Sequence, residues 1–260
     1  MTDHIQITRP DTHPGVLVLR FHRPDKKNAI TQAMYQKLTA GLLEGEADES
    51  IRAIVFLGSE GCFSAGNDMA DFLGFAMAGA VGEPAAFGLL KALTEVTKPL
   101  VSGVDGLAIG IGTTLHMHCD LTVASDRSLF KTPFVDLALV PEAASSLIAP
   151  RIMGHQRAFA MLAASEGFSA EQAREAGLIW RVVAPADVEA ETLKIAAALA
   201  AKPPAAMKIA RALVRGNPGE VRARMQEELV HFVAQLKSTE ARAAFEAFMK
   251  GRKARAALRK

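Results

Sequence analysis

A change of character near residue 186 constrains the fold of this chain more than any other feature of its sequence. Before it, short β-rich runs alternate with helical patterns. Val16–Phe21, Ala53–Leu57, Leu100–Val104, Leu121–Ala124 and Ile179–Val183 are the runs. Thr31 is placed to cap a helix carrying Met34, Leu38 and Leu42. Phe87, Leu90, Leu93 and Val96 repeat at helical spacing until Pro99 stops them. After residue 186 only helices are expected: 187–202, 204–215, 218–236 and 239–258. Pro203-Pro204 and Asn217-Pro218-Gly219 punctuate them. Alternation implies an α/β body. The strands are too few and too irregular to choose a barrel or a doubly wound sheet. The helical tail suits either an assembly device or a cover on the same core.

Bulk properties narrow the class. The 260 residues are half apolar, enough for one large domain. A net charge of +2 from 30 basic and 28 acidic side chains argues against a surface built for nucleic acid. Two cysteines, Cys62 and Cys119, make no disulfide framework. Residues 1–10 have no signal-like apolar stretch, and no apolar run is long enough for a bilayer. A soluble, cytoplasmic protein with no membrane partner is the expectation.

Chemistry is expected in three segments. The first is Gly61-Cys62-Phe63-Ser64-Ala65-Gly66-Asn67-Asp68-Met69, after a strand; Asn67 or Asp68 could equally cap a helix there. The second is Gly106-Leu107-Ala108-Ile109-Gly110-Ile111-Gly112-Thr113-Thr114, which lacks the dinucleotide-binding glycine pattern. A helix starting near Ile111 would aim free N–H groups at an anion, half of an oxyanion hole. The third is Pro141-Glu142-Ala143-Ala144-Ser145-Ser146, where a lone carboxylate sits in apolar surroundings. One acid near an oxyanion site points to proton transfer at carbon. His116 and His118 stand two apart, the wrong spacing for a helical metal pair, so no metal is expected. Ser145 and Ser146 lack a nucleophile-elbow context and read as the start of a helix. Lys250, Arg252, Lys253, Arg255, Arg259 and Lys260 form a basic tail, either a solvated helix end or a phosphate patch.

Taken together, these pieces resemble the crotonase (enoyl-CoA hydratase/isomerase) superfamily. Arg23-Pro24-Asp25-Lys26-Lys27-Asn28-Ala29, Phe63 to Asp68, Asp105 to Gly112, Cys119-Asp120-Leu121, Ser169 to Ala173 with Gly177-Leu178, and Ala247-Phe248 with Arg252 carry the likeness in order over nearly the whole chain. The resemblance implies a spiral of ββα turns over residues 1–195. It also implies a helical trimerisation region over 196–260, forming a trimer or a dimer of trimers. An acyl-CoA thioester is the implied ligand, with CoA as part of the substrate and no other cofactor. Ala65 and Ile111 would supply the oxyanion-hole amides. Lys26, Ala65, Gly66, Asn67, Asp68, Met69, Gly110, Phe134 and Phe248, the last from a neighbouring subunit, would contact the ligand.

Two departures bear on activity. Hydratases of the family carry two glutamates where this chain has Thr114 and Phe134. The Glu142 segment is instead similar to the peroxisomal-type Δ3,Δ2-enoyl-CoA isomerases, in which one glutamate is the base. Isomerisation of a 3-enoyl-CoA by Glu142 is the leading expectation. If Phe134, Leu137, Leu139 and Val140 enclose it, its pKa should rise. Enoyl-CoA hydration or another crotonase chemistry is the alternative; a non-catalytic acyl-CoA or RNA binder is a third. Phe72 to Phe87, rich in Gly, Ala and Met, is expected to line the acyl pocket.

Overall fold

A computed structural model describes residues 4–71, 74 and 84–257. Two sheets stack along the spiral. Strands β1 (Ile5–Thr8), β2 (Val16–Phe21), β3 (Ala53–Leu57), β5 (Leu100–Val104), β7 (Leu121–Ser125) and β10 (Arg181–Val183) form a six-stranded sheet in that order. It is parallel except for the β1 edge. β4 (Cys62–Ser64), β6 (Leu107–Ile109), β8 (Leu129–Lys131) and β9 (Phe168–Ser169) form the smaller sheet. In chain order β3 runs into β4, β5 into β6 and β7 into β8. Each turn of the spiral therefore lays one strand in each sheet before a helical segment returns the chain. β3 and β5 are buried at every position, as parallel strands covered on both faces must be.

The helices are α1 (Gln32–Ala47), α2 (Ala85–Glu95), α3 (Ile111–Thr114), α4 (Ser145–Met153), α5 (His155–Leu162), α6 (Ala170–Glu175), α7 (Val188–Ala200), α8 (Pro204–Arg215), α9 (Pro218–Leu236) and α10 (Thr239–Ala257). Their starts follow local chemistry. Thr31 Oγ1 accepts the Met34 amide, Ser169 and Gln172 make a reciprocal capping box, and Asn217 Oδ1 accepts the Gly219 amide. Prolines open α8 and α9, where a missing N–H costs nothing. The expected helix at Ile111 is shorter than the pattern suggested. It is one α-turn, continued by a 3₁₀ segment over Leu115–His118.

The main core joins both sheets, through Phe21, Phe56, Phe63 and Phe130, to Leu38 of α1, Leu90 of α2, Met225 of α9 and Phe245 of α10. A second cluster lies between β2, β3, β5 and α7. α7 crosses residue 195 and covers the large sheet, so the boundary expected there falls inside an element of the core. α9 packs against α2 and α4 and so reaches the third chemical segment. Among the described residues no helix is long and apolar enough to cross a membrane.

Candidate active site

The loops after β4 and β6 lie side by side because those strands pair in parallel, Cys62 against Leu107 and Ser64 against Ala108. Glycine lets them close. Gly66 has φ +84°, and a Cβ there would sit 2.8 Å from the Ile109 carbonyl oxygen. A Cβ on Gly112 would sit 2.9 Å from the Ser64 carbonyl oxygen. The 23–30 loop locks the outer side. Arg23 pairs with Asp68 at 2.7 Å, and the buried Asn28 donates to the carbonyls of Cys62 and Phe63 at 2.8 and 3.1 Å.

This packing corrects one expectation. The Ala65 amide donates to the Lys27 carbonyl at 2.9 Å, so it is already taken and does not face a ligand. Two residues on, Ile30 donates to the Gly66 carbonyl and accepts from the Asp68 amide, both at 2.8 Å. In such a bridge the intervening residue turns its own N–H the other way. Asn67 is that residue. Among the described residues no acceptor is found for the Asn67 or the Ile111 amide. Gly110 is fixed next to Ile111: its amide donates to the Lys131 carbonyl at 2.8 Å, and its carbonyl accepts from Thr113 and Thr114.

The carboxyl side is assembled from side chains. Glu142 accepts a 2.6 Å hydrogen bond from the Thr114 hydroxyl, at the end of α3. Its pKa is raised from 4.5 to about 7, chiefly because the carboxyl is enclosed. The Thr114 bond opposes that rise, and the nearby Glu228 charge adds to it. Ala143 and Ala144 both adopt left-handed conformations, φ +63° and +53°. Three groups hold this turn. The His118 Nε2–H donates to the Ala143 carbonyl at 2.7 Å, the Ser145 amide donates to the Glu142 carbonyl at 3.0 Å, and Glu228 takes the Ala144 amide at 2.6 Å. Burial, with the Arg215 charge, pushes His118 down to about 4, so it is a neutral donor. His116 is likewise pushed down to about 3 by burial and packs between the Phe63 and Phe130 rings.

Tyr35 on α1 braces the amide side. Its hydroxyl donates to Asn67 Oδ1 at 2.5 Å. Its pKa is raised by burial first, then by the charges of Glu142 and Asp71.

The other sequence-derived positions fall as follows. Lys26 is exposed on a 3₁₀ turn, and Met69 packs partly buried against the core. Phe134 is buried in the main core. Phe248 is largely exposed on α10. Ser145 and Ser146 open α4, and the Ser146 hydroxyl donates to Glu228. The two thiols are raised by burial, Cys62 to about 11 and Cys119 to about 12. Most of the 72–87 segment, the side chains of Arg252, Lys253 and Arg255, and residues 258–260 lie outside what is described. Sequence reasoning missed Tyr35, the hydrogen bond of Thr114 and Glu228. Tyr35, a polar-tipped aromatic among the apolar positions of α1, was the only one of these with a visible signal.

The enoyl-CoA hydratase/isomerase family matches residues 11–256. The chain belongs to that family. This enoyl-CoA hydratase/isomerase family member is 35% identical over 220 residues to enoyl-CoA delta isomerase 2 of Rattus norvegicus, covering 82% of this chain and 56% of that relative. The chain thus spans little more than half the length of that protein. It is 32% identical to 4-chlorobenzoyl coenzyme A dehalogenase-2 of an Arthrobacter species, over 77% of this chain and 73% of that one. Among solved structures, an enoyl-CoA hydratase/isomerase from Pseudoalteromonas atlantica T6c superposes with a TM-score of 0.89 at 36% identity, covering 96% of this chain and 98% of that one. The family member therefore has the crotonase fold, as its sequence implied. Isomerases and dehalogenases share this fold, so the particular reaction has to be argued from the site.

Proposed function

We propose that this chain moves the double bond of a 3-enoyl-CoA into conjugation, giving the 2-trans-enoyl-CoA. The observation that carries the reading is one enclosed carboxyl, Glu142, with a pKa near 7, held by Thr114 at the end of the helix whose first amide is that of Ile111. Ionised Glu142 removes a C2 proton, and the electron pair delocalises onto the thioester oxygen. The amides of Asn67 and Ile111 hold that oxygen; Asn67 takes the place first given to Ala65. One such donor contributes about 3–4 kcal/mol in the transition state. Protonated Glu142 then returns the proton to C4 and is ionised again. The cycle moves one proton and no electrons, so CoA, as part of the substrate, is the only cofactor it requires. A pKa close to neutrality suits a group that must both take and give a proton.

The rat isomerase supports the reading by name and by likeness. Lys26, Gly66, Asp68, Met69, Gly110, Phe134 and Phe248 remain the proposed ligand contacts. Self-association also belongs to this reading. The exposed Ile209, Leu213 and Val214 of α8 support it, and light scattering showing only monomer would oppose it. The deciding assay pairs 3-enoyl-CoA with 2-enoyl-CoA. Conversion of the first without rapid hydration of the second is expected. Fast loss of the conjugated-thioester absorbance from 2-enoyl-CoA alone would favour a hydratase instead.

A further inference from the structure

We infer that Glu228 is a positioning residue: from α9 it holds the Ala143–Ser146 turn so that Glu142 faces the Asn67 and Ile111 amides. This rests on the reading of Glu142 as the base. Glu228 is buried, and both of its oxygens are engaged. Oε2 accepts the Ala144 amide at 2.6 Å, and Oε1 accepts the Ser146 amide at 3.0 Å and the Ser146 hydroxyl at 2.5 Å. Burial raises the Glu228 pKa, and the three donors converging on its carboxyl oppose that rise and favour the ionised form. Arg224, one turn earlier on α9, stands behind it with its guanidinium 3.3 Å from Ser146 Oγ.

An ordinary helix start would not need this arrangement. Helices are normally capped by a Ser, Thr, Asp or Asn adjacent in sequence. The N-cap of α4 is Ala144, which has no side-chain oxygen, and its own conformation is left-handed. The acceptor comes instead from a separate helix far along the chain. Two consecutive left-handed alanines are rare for L-residues and persist only where surroundings hold them. Here Glu228 grips the turn at Ala144 and Ser146, and His118 grips it at the Ala143 carbonyl. Glu142 is the residue immediately before the gripped turn, so its direction is set by it. Both oxygens of the buried Glu228 are engaged by backbone and serine.

The position also has an electrostatic consequence. Glu142 accepts from Thr114 of α3 and feels the charge of Glu228 on α9, its own charge acts on the buried Tyr35 phenol of α1, and neutral His118 grips the turn that follows it. Among these, an ionised Glu228 is the one that disfavours a second negative charge.

Glu228→Gln keeps the shape, removes the charge and turns one acceptor into a donor. We expect kcat on 3-enoyl-CoA to fall about 10-fold with KM within about twofold, the pattern of a misdirected group and not of lost binding. The Glu142 carboxyl, followed by infrared difference spectra against Glu142→Gln, should titrate at a lower pH than in the wild type. More Glu142 would then be ionised at neutral pH while turnover is slower, a pairing that simple loss of stability does not produce. Glu228→Ala, which frees the turn, should cost about 100-fold; if it does not fold, Glu228→Gln carries the test alone. Wild-type kcat and an unmoved Glu142 midpoint in Glu228→Gln overturn the inference. That failure is distinguishable from failure of the base assignment, in which Glu142→Gln itself would keep turning over.

Discussion

The two sides of the site are built on opposite principles. The amide side is backbone held by close packing: Gly66 and Gly112 let the β4 and β6 loops touch, and the 23–30 loop seals them. The carboxyl side is side chains held by hydrogen bonds: Thr114, His118 and Glu228 converge on one turn from three elements. The contrast predicts different vulnerabilities. The amide side should tolerate side-chain changes and fail when a Cβ is added. The carboxyl side should tolerate bulk and fail when a single donor or acceptor is lost.

The largest effect belongs to the base. Glu142→Gln preserves size and the Thr114 contact but cannot take a proton. Isomerase turnover should fall on the order of 10³–10⁴-fold with CoA-ester binding retained, measured by steady-state kinetics and calorimetry. Next comes the amide side. Gly112→Ala must push Ser64 away and drag the Ile111 amide with it, for a loss of about 100-fold in kcat. Ile111→Val, which leaves the amide in place, should stay within about threefold of wild type. A large loss from Ile111→Val together with an active Gly112→Ala would reverse the comparison.

The third effect is on stability. The Glu142 pKa is 4.5 when unfolded and about 7 when folded, so between those values the folded state binds more protons. Stability is therefore lost as pH rises through that window, by on the order of 3 kcal/mol, and the penalty is complete above pH 7. Glu142→Gln should accordingly be more stable than wild type at pH 8, and the gap should close below pH 4.5; chemical denaturation at both pH values checks it. The smallest loss among the carboxyl-side changes is expected from Thr114→Val. Losing a hydrogen bond to the charged form raises the Glu142 pKa further. Turnover at pH 7 should drop several-fold, about 3–10-fold, and recover at higher pH.

The same contrast explains what could be read from the sequence. Long helices and fully buried strands were legible because their patterns span many residues: α1, α8, α9, β3 and β5 lie where spacing placed them. The three-residue strands β4, β6 and β8 are too short to show a period, so the second sheet went unseen. Glu142 was legible because a carboxylate among Leu139, Val140, Pro141 and Ala143 is out of place. Glu228 was not, because Gln226-Glu227-Glu228 on a charged helix looks like an ordinary solvated face. The shift from Ala65 to Asn67 could not be read either. Which amide along an extended loop faces the cavity depends on the chain that pairs with it, here Lys27 and Ile30. Thr114 was read only as a missing glutamate, whereas its hydroxyl holds the glutamate that replaces it.

The pH dependence of 3-enoyl-CoA isomerisation, measured as kcat/KM for wild type and Glu142→Gln, tests the central claim most directly. The account predicts that the wild-type rate rises through a single titration near pH 7 and that the variant is inactive throughout. A wild-type profile titrating near 4.5, or a Glu142→Gln variant that follows the wild-type curve, would contradict it.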